Sequence, residues 1–293
     1  VAFTSSYPLT FDGERLDTYA YSIETVSGRR TAPKQRFATV EIPGRDGAYI
    51  DFQDSFEPGL CVLKIWLIPV DVDGVTPASR RTQFEANLDY IMNLVGNARG
   101  RLIELRQTMG DASVRRTSAI VSEVATPEMF GPNSARMSIA LTLPDSVWED
   151  VSTADFTYSN AVTAGLTAVT TLRGGTTPTD NARFLITGPV TNPRLADSSS
   201  GEWIQLTQTV AAANMWLFDA GTRISRYGSG LTLSSADTAG ADAWANTSFS
   251  GSFKMLSLRP KLASGFRDVK VTLTGTSTTA ATAVGIRAKR KYL

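Results

Sequence analysis

The chain has 293 residues, 42% of them hydrophobic, with a formal charge of +1 at pH 7, and this length and composition predict two domains, each able to bury a core. A near-neutral total provides no overall basic field for tight, salt-sensitive binding of nucleic acid, and it weakens repulsion between copies, which permits self-association. The absence of histidine removes most nucleophilic triads and most zinc sites. The single cysteine, Cys61, excludes an intrachain disulfide and reads as a small buried hydrophobe. No apolar run approaches the roughly 20 residues of a membrane-spanning helix. Residues 1–6 lack the basic-then-apolar build of a signal peptide. The expectation is a soluble, non-enzymatic chain made in a cytoplasm, with no cofactor, no metal and no membrane contact.

In chain order, residues 42–49 come first. Pro43, Gly44, Asp46 and Gly47 lie between β-prone runs, and an Asp-Gly pair suits a hairpin turn. Such a turn offers Arg45 and Asp46 as candidate contacts to a neighbouring subunit. Residues 61–70 are nearly continuous in apolar side chains, as expected of a strand covered on both faces. Asp71, Val72, Asp73 and Gly74 superficially resemble part of a calcium loop but lack its further ligands and closing glutamate; a polar turn is expected instead. A helix follows, with Thr76 as the cap and Pro77 in its first position. Phe84, Leu88, Ile91 and Val95 fall on one helical face, and Gly96 or Gly100 is placed to end it. Residues 136–143 alternate, Met137, Ile139, Leu141 and Leu143 against Arg136, Ser138, Ala140 and Thr142, which predicts a half-buried strand. Pro144 and Asp145 then open a junction, dividing the chain into domains 1–152 and 153–293.

Beyond the junction, Thr, Ser, Ala and Gly dominate and helical periodicity fades. Strands are expected at 183–187, 202–207, 215–219, 252–258, 269–274 and 284–289. Their spacing between turn residues argues for an antiparallel sandwich, and no fixed repeat points to a propeller or solenoid. Trp203, Trp216 and Trp244 are expected in the core, with a sugar-stacking platform as the alternative. The basic cluster Arg287, Lys289, Arg290 and Lys291 lacks the interleaved aromatics of a single-strand nucleic-acid groove. It reads as a solvated or partner-facing edge strand. No acidic cluster suggests the paired carboxylates of a glycosidase.

Ordered motifs then carry a resemblance. Residues 8–13 (Pro-Leu-Thr-Phe-Asp-Gly), 21–29 (Tyr-Ser-Ile-Glu-Thr-Val-Ser-Gly-Arg) and 40–47 (Val-Glu-Ile-Pro-Gly-Arg-Asp-Gly) resemble the opening of the distal tail proteins of long-tailed (siphovirus-like) bacteriophages. The apolar strand, the helix near 83–94 and the strand at 136–143 follow in the family's order. Residues 174–179, 186–193 and 201–204 are similar to the family's galectin-like domain. The resemblance implies a mainly β fold: a tail-tube-like β-barrel or sandwich, the belt domain, with one α-helix, followed by a galectin-like antiparallel β-sandwich. It implies a virion protein of the tail tip, assembled in the host cytoplasm as a hexameric ring between the tail tube protein and the tail hub. It further implies a scaffold for receptor-binding proteins and an opening through which DNA passes without specific binding. A carbohydrate-binding, host-adhesion module is the alternative role for the second domain.

Overall fold

Strand periodicity outweighs helical periodicity through most of the sequence, and the computed structural model is accordingly built of antiparallel strands with one α-helix among the described residues. Residues 8–27, 35–41, 48–75, 77–159, 166–250, 256–263 and 266–292 are described. The chain divides into two compact units, residues 1–149 and 150–292.

In the first unit the strands are β1 (Leu9–Phe11), β2 (Glu14–Arg15), β3 (Tyr21–Ser27), β4 (Gln35–Glu41), β5 (Ala48–Phe56), β6 (Gly59–Leu67), β7 (Ile103–Thr108), β8 (Val114–Val124), β9 (Glu128–Met129), β10 (Ala135–Leu143) and β11 (Trp148–Asp150), which crosses the boundary. The main sheet runs β2-β1-β7-β8-β10-β6-β3. β4 and β5 form a separate two-stranded ribbon. Every second side chain of β10, from Ala135 to Leu143, is buried, as its alternation requires. Cys61 is buried on β6 beside Leu63, Ile65 and Leu67.

β6 departs from expectation. Its fully buried side chains lie on one face: they alternate with Leu60, which is 60% exposed, with the half-buried Val62 and Trp66, and with the exposed Lys64 on the opposite face. A continuous apolar run normally marks a strand enclosed on both sides. Here the chain's own core supplies one side.

The turn ahead of the helix is polar, as expected. The Asp71 carboxylate accepts from the amides of Asp73 (3.0 Å) and Val75 (2.7 Å). Gly74 holds a left-handed φ of +85°, with the Tyr19 ring lying where a β-carbon would be. Helix α1 (Arg80–Ala98) begins at Ser79, whose hydroxyl accepts from the Thr82 amide. The start is therefore three residues later than the Thr76 cap anticipated, and Thr76 lies outside the described residues. Gly96 is inside the helix, and Gly100, at φ +75°, follows its end.

The buried stripe of α1 is Phe84, Asn87, Ile91, Val95 and Ala98, so a polar residue occupies the place assigned to Leu88. Asn87 Nδ2 donates to the carbonyls of both Ile68 and Val70 at 2.8 Å, and its Oδ1 accepts from Gln83 at 2.9 Å. These carbonyls lie just past the end of β6, where the ladder no longer supplies donors. Orphaning buried carbonyls costs about 1–3 kcal/mol each. Asn87→Leu, though better matched to the apolar stripe, is expected to lose about 2–4 kcal/mol of stability, read from the midpoint of urea unfolding; an unchanged midpoint would contradict this role.

The second unit comprises β12 (Ala154–Ser159), β13 (Leu166–Ala168), β14 (Arg183–Thr187), β15 (Val190–Asp197), β16 (Trp203–Leu206), β17 (Thr209–Val210), β18 (Asn214–Asp219), β19 (Ile224–Ser229), β20 (Ala241–Asp242), β21 (Thr247–Phe249), β22 (Lys261–Ala263), β23 (Phe266–Asp268), β24 (Lys270–Thr276), β25 (Ala283–Ala288) and β26 (Lys291–Tyr292). One sheet runs β12-β25-β14-β18-β19-β20 and the other β13-β24-β15-β16-β21. Alternate residues of both sheets, among them Phe184, Ile186, Trp216 and Phe218 from the first and Leu195, Ile204 and Leu273 from the second, share one core, the arrangement of an antiparallel sandwich. Of the strand expected at 252–258, residues 252–255 lie outside the described residues, and Leu258 makes an isolated bridge to Thr179.

The basic cluster is split. Arg287 is on the interior strand β25, which lies between β12 and β14, whereas Lys291 is on β26, which among the described strands pairs only with β11; Arg287, Arg290 and Lys291 meet carboxylates of the same unit. Arg287 grips Asp155 through two bonds of 2.6 Å, Arg290 meets Asp150 at 2.5 Å, and Lys291 meets Asp180 at 2.5 Å. The last residues are also stitched by backbone. The Asp150 amide donates to the Arg290 carbonyl (3.0 Å), and the Thr176 and Thr177 amides donate to that of Lys291 (2.8 and 3.2 Å). The Thr179 hydroxyl bonds the Lys289 carbonyl at 3.1 Å, and Tyr292 reaches Asp150 at 3.2 Å.

Candidate protein-docking surface

Groups with perturbed acidity are the first place to look for chemistry, and here each is tied to a structural partner. Arg101 holds the Asp12 carboxyl below its ordinary range through a side-chain hydrogen bond, and Arg287 does the same for Asp155. Hydrogen bonds from Ser113 lower Asp111. Burial pushes Asp197 up, against opposing bonds from Ser200, Ser199 and the Arg259 amide; its carboxylate ties off its own turn, accepting from the Ser199 and Ser200 amides at 3.1 and 2.8 Å. Burial, then the bond to Glu14, pushes Tyr90 up. Among the described residues no group of three or more Cys, Asp or Glu side chains is placed to hold a metal.

Exposed apolar surface is distributed unevenly. Of the large hydrophobic side chains exposed among the described residues, all but Trp244 belong to the first unit. Strand register joins three of them. On the sheet face away from the core, Leu60 of β6 pairs with Thr142 of β10, and Thr142 pairs with Ile120 of β8. Leu102 immediately precedes the Ile103↔Ala119 pair between β7 and β8, which sets it beside Ile120. Leu60, Ile120 and Leu102 are 60%, 37% and 58% exposed. Leu60, Ile120 and Leu102, with Thr142 between the first two, thus line up across three strands and the start of a fourth, roughly 14 Å at the usual strand spacing. Val62 and Ala140 extend it by one further pair.

A bulge shapes the row. Leu141 pairs with Val121 and Ala140 with Glu123, so Ser122 is the extra residue, and its hydroxyl donates to the Ala140 carbonyl at 2.9 Å. Bulges of this kind bend a strand and re-aim its side chains. Locked charges border the row. On one side Arg116 bridges Glu104 (3.1 Å) and Glu149 (2.8 Å). On the other, the Arg136 guanidinium lies 5.6 Å from the Trp66 ring centre and 5.3 Å from that of Phe130, and pairs with Glu24 at 2.8 Å. An apolar centre with a polar rim is the usual anatomy of a protein interface.

The sequence motifs fare differently. Arg45 and Asp46 lie outside the described residues. Trp216 is in the core, as expected. Trp203 is half-buried with the Arg194 guanidinium 4.3 Å from its ring centre. Trp244 is 38% exposed and stacks on Phe218 at 6.4 Å and 9°. The apolar row was missed because the run at 61–70 was read as enclosed on both faces; its signal was an apolar residue at Leu60, Val62 and Trp66 on the face that β10 makes polar with Arg136 and Ser138.

No family model and no curated protein matches the sequence. Among solved structures, the Dit protein of phage SPP1, described as a paradigm of the hub adsorption apparatus in phages infecting Gram-positive hosts, aligns with a TM-score of 0.59 at 12% identity. The alignment covers 99% of this chain and 100% of that one. Two structures of the phage P2 baseplate in its activated conformation, with Ca and with Sr, align over 98% of both chains at 9% identity, but their TM-score of 0.35 carries no argument. The chain therefore has the mainly β fold of a phage Dit protein.

Proposed function

We propose that this protein is a structural component of a phage tail tip, acting as a scaffold and not as an enzyme. Six copies form a closed ring that joins the tail tube to the hub and leaves an opening for the genome. The observation that carries this reading is the likeness to the SPP1 Dit protein along the whole chain, both units included. The exposed apolar row gives the first unit a surface suited to burial against protein. In this reading the domain at 1–152 closes the ring, with the turn carrying Arg45 and Asp46 among its contacts, and the domain at 153–293 lies outside it, available to receptor-binding parts. A net charge of +1 suits a passage that must not retain phosphates.

Electron microscopy of the purified chain, alone and mixed with its tube partner, tests the proposal. Closed rings are expected in at least one sample, and monomers in both would overturn it. An adhesive role for the second unit rests on the exposed Trp244. A glycan-array signal lost in Trp244→Ala would support that role, and a blank array would remove it.

A further inference from the structure

The outward faces of the two sheets in the second unit differ in cover and in charge. On the sheet β12-β25-β14-β18-β19-β20, residues 231–237 are held against the face away from the core. Arg183 of β14 donates to the Ser235 carbonyl at 3.0 Å and pairs with Asp237 at 2.6 Å. Arg226 of β19 donates to the Asp237 carbonyl at 2.5 Å, and Arg287 of β25 to the Ser234 hydroxyl at 2.8 Å. Leu231 and Leu233 are buried, Leu233 against Gly285 of β25. The chain's own segment occupies this face, and the arginines beneath it are committed.

The other sheet keeps its outward side chains accessible. Leu195, Ile204 and Leu273 belong to the core, so their neighbours along each strand point outward. Register sets Arg194 of β15 between Thr274 of β24 and Gln205 of β16, with Ser248 of β21 beyond Gln205. One step along, Ala196 separates Thr272 from Trp203. All of these side chains are at least partly exposed. No outward strand residue described on this sheet is Asp or Glu, and two, Arg194 and Lys270, are cationic. Arg194 lies over an indole, 4.3 Å from the Trp203 ring centre, whereas Arg173, Arg183, Arg259, Arg287 and Arg290 each meet a carboxylate. A guanidinium held over an aromatic ring keeps its in-plane fork of donors for a carboxylate or phosphate. Lys270 precedes Thr274 on β24, which places it roughly 14 Å from Arg194 at the usual rise and strand spacing. Cations that far apart suit a polymer of repeated charge, since no small anion spans them.

We propose that this face binds an acidic polysaccharide. Its threonine, serine and glutamine side chains both donate and accept, as sugar hydroxyls do. Trp203 offers an apolar body to the C–H face of a sugar ring, and Arg194 and Lys270 meet the acidic groups. A protein partner calls for an apolar centre and a single nucleic-acid strand for successive aromatics, and this face has neither. The site deepens the adhesive role considered above, assigns it to residues other than Trp244, and does not depend on the ring.

Affinity electrophoresis of the full chain tests it, in gels cast with polygalacturonate, with a phosphate-bearing mannan or with neutral dextran. Retardation by at least one acidic polymer is expected, and none by dextran; the two acidic gels separate a carboxylate from a phosphate ligand. Arg194→Met keeps an aliphatic stem over Trp203 and removes the charge. It is expected to raise the dissociation constant at least about tenfold at an unchanged melting temperature. Trp203→Leu weakens retardation as well, and Trp244→Ala matches the parent. No retardation by either acidic polymer, or equal retardation of Arg194→Met and the parent, would overturn the proposal. Loss of binding in Trp244→Ala with Arg194→Met unaffected would also overturn it and leave the adhesive role with Trp244. Free polyphosphate that displaces the chain as well as free polygalacturonate does would reduce the face to charge alone and overturn the saccharide. The ring reading, which microscopy of assembly decides, stands or falls separately.

Discussion

Gly188→Ala is expected to unfold the second unit, or to leave it at least about 3 kcal/mol less stable. A β-carbon at this position would lie 2.2 Å from the Ala211 carbonyl oxygen and 2.4 Å from that of Val210. Both obstacles are backbone, and neither is free to retreat. The Ala211 carbonyl accepts from the Asn214 amide at 2.9 Å, Val210 is paired with Val190, and Gly188 itself donates to the Asn214 carbonyl at 3.1 Å. Relief would require parting the start of β15 from β17 and from the turn that leads into β18. Urea unfolding followed by tryptophan fluorescence is the direct measurement, and a midpoint within error of the parent would show that this close approach is dispensable.

Trp216→Ala carries a comparable penalty by the opposite route, loss of volume. The side chain is 1% exposed and packs against Phe218 with ring centres 6.1 Å apart. Truncating a buried tryptophan to alanine costs about 3–5 kcal/mol. Part of that cost is polar. The indole N–H donates to the Ser225 hydroxyl at 2.9 Å, and that hydroxyl in turn meets Thr247 at 2.7 Å. The link joins strands of the two sheets through the buried Ser225 hydroxyl and the half-buried Thr247 hydroxyl. Trp216→Phe keeps much of the apolar volume but not the donor, and should cost about half as much. Equal losses in the two variants, measured by thermal unfolding, would mean that the hydrogen bond contributes nothing.

Local pattern made much of this fold legible. The alternation at 136–143 required only the strand period, and β10 buries the side chains that period selects. The five residues expected at 183–187 are the five of β14. What stayed hidden depended on partners remote in sequence. Leu88 was placed on the buried helical face, where Asn87 stands, because the carbonyls that Asn87 satisfies lie 17 and 19 residues earlier. Arg287, Arg290 and Lys291 read as a basic edge because their carboxylates stand 132, 140 and 111 residues away. β6 was assigned to an enclosed position because its apolar run does not say whose surface covers its second face. That second face carries Leu60 of the candidate docking row. The sequence choice of Arg45 and Asp46 drew on turn chemistry alone and falls outside the described residues, so it stands as a proposal.

The stitching of residues 289–292 onto Asp150 and the segment at 176–180 means that the second unit begins and ends at one place. With the Asp150 amide bonded to the Arg290 carbonyl, joining the two ends would need only a short linker, and new termini could be opened in the turn between β18 and β19 with every strand of the sandwich intact. The unit is in this sense closed on itself, its first described residue bonded to the strand that ends it.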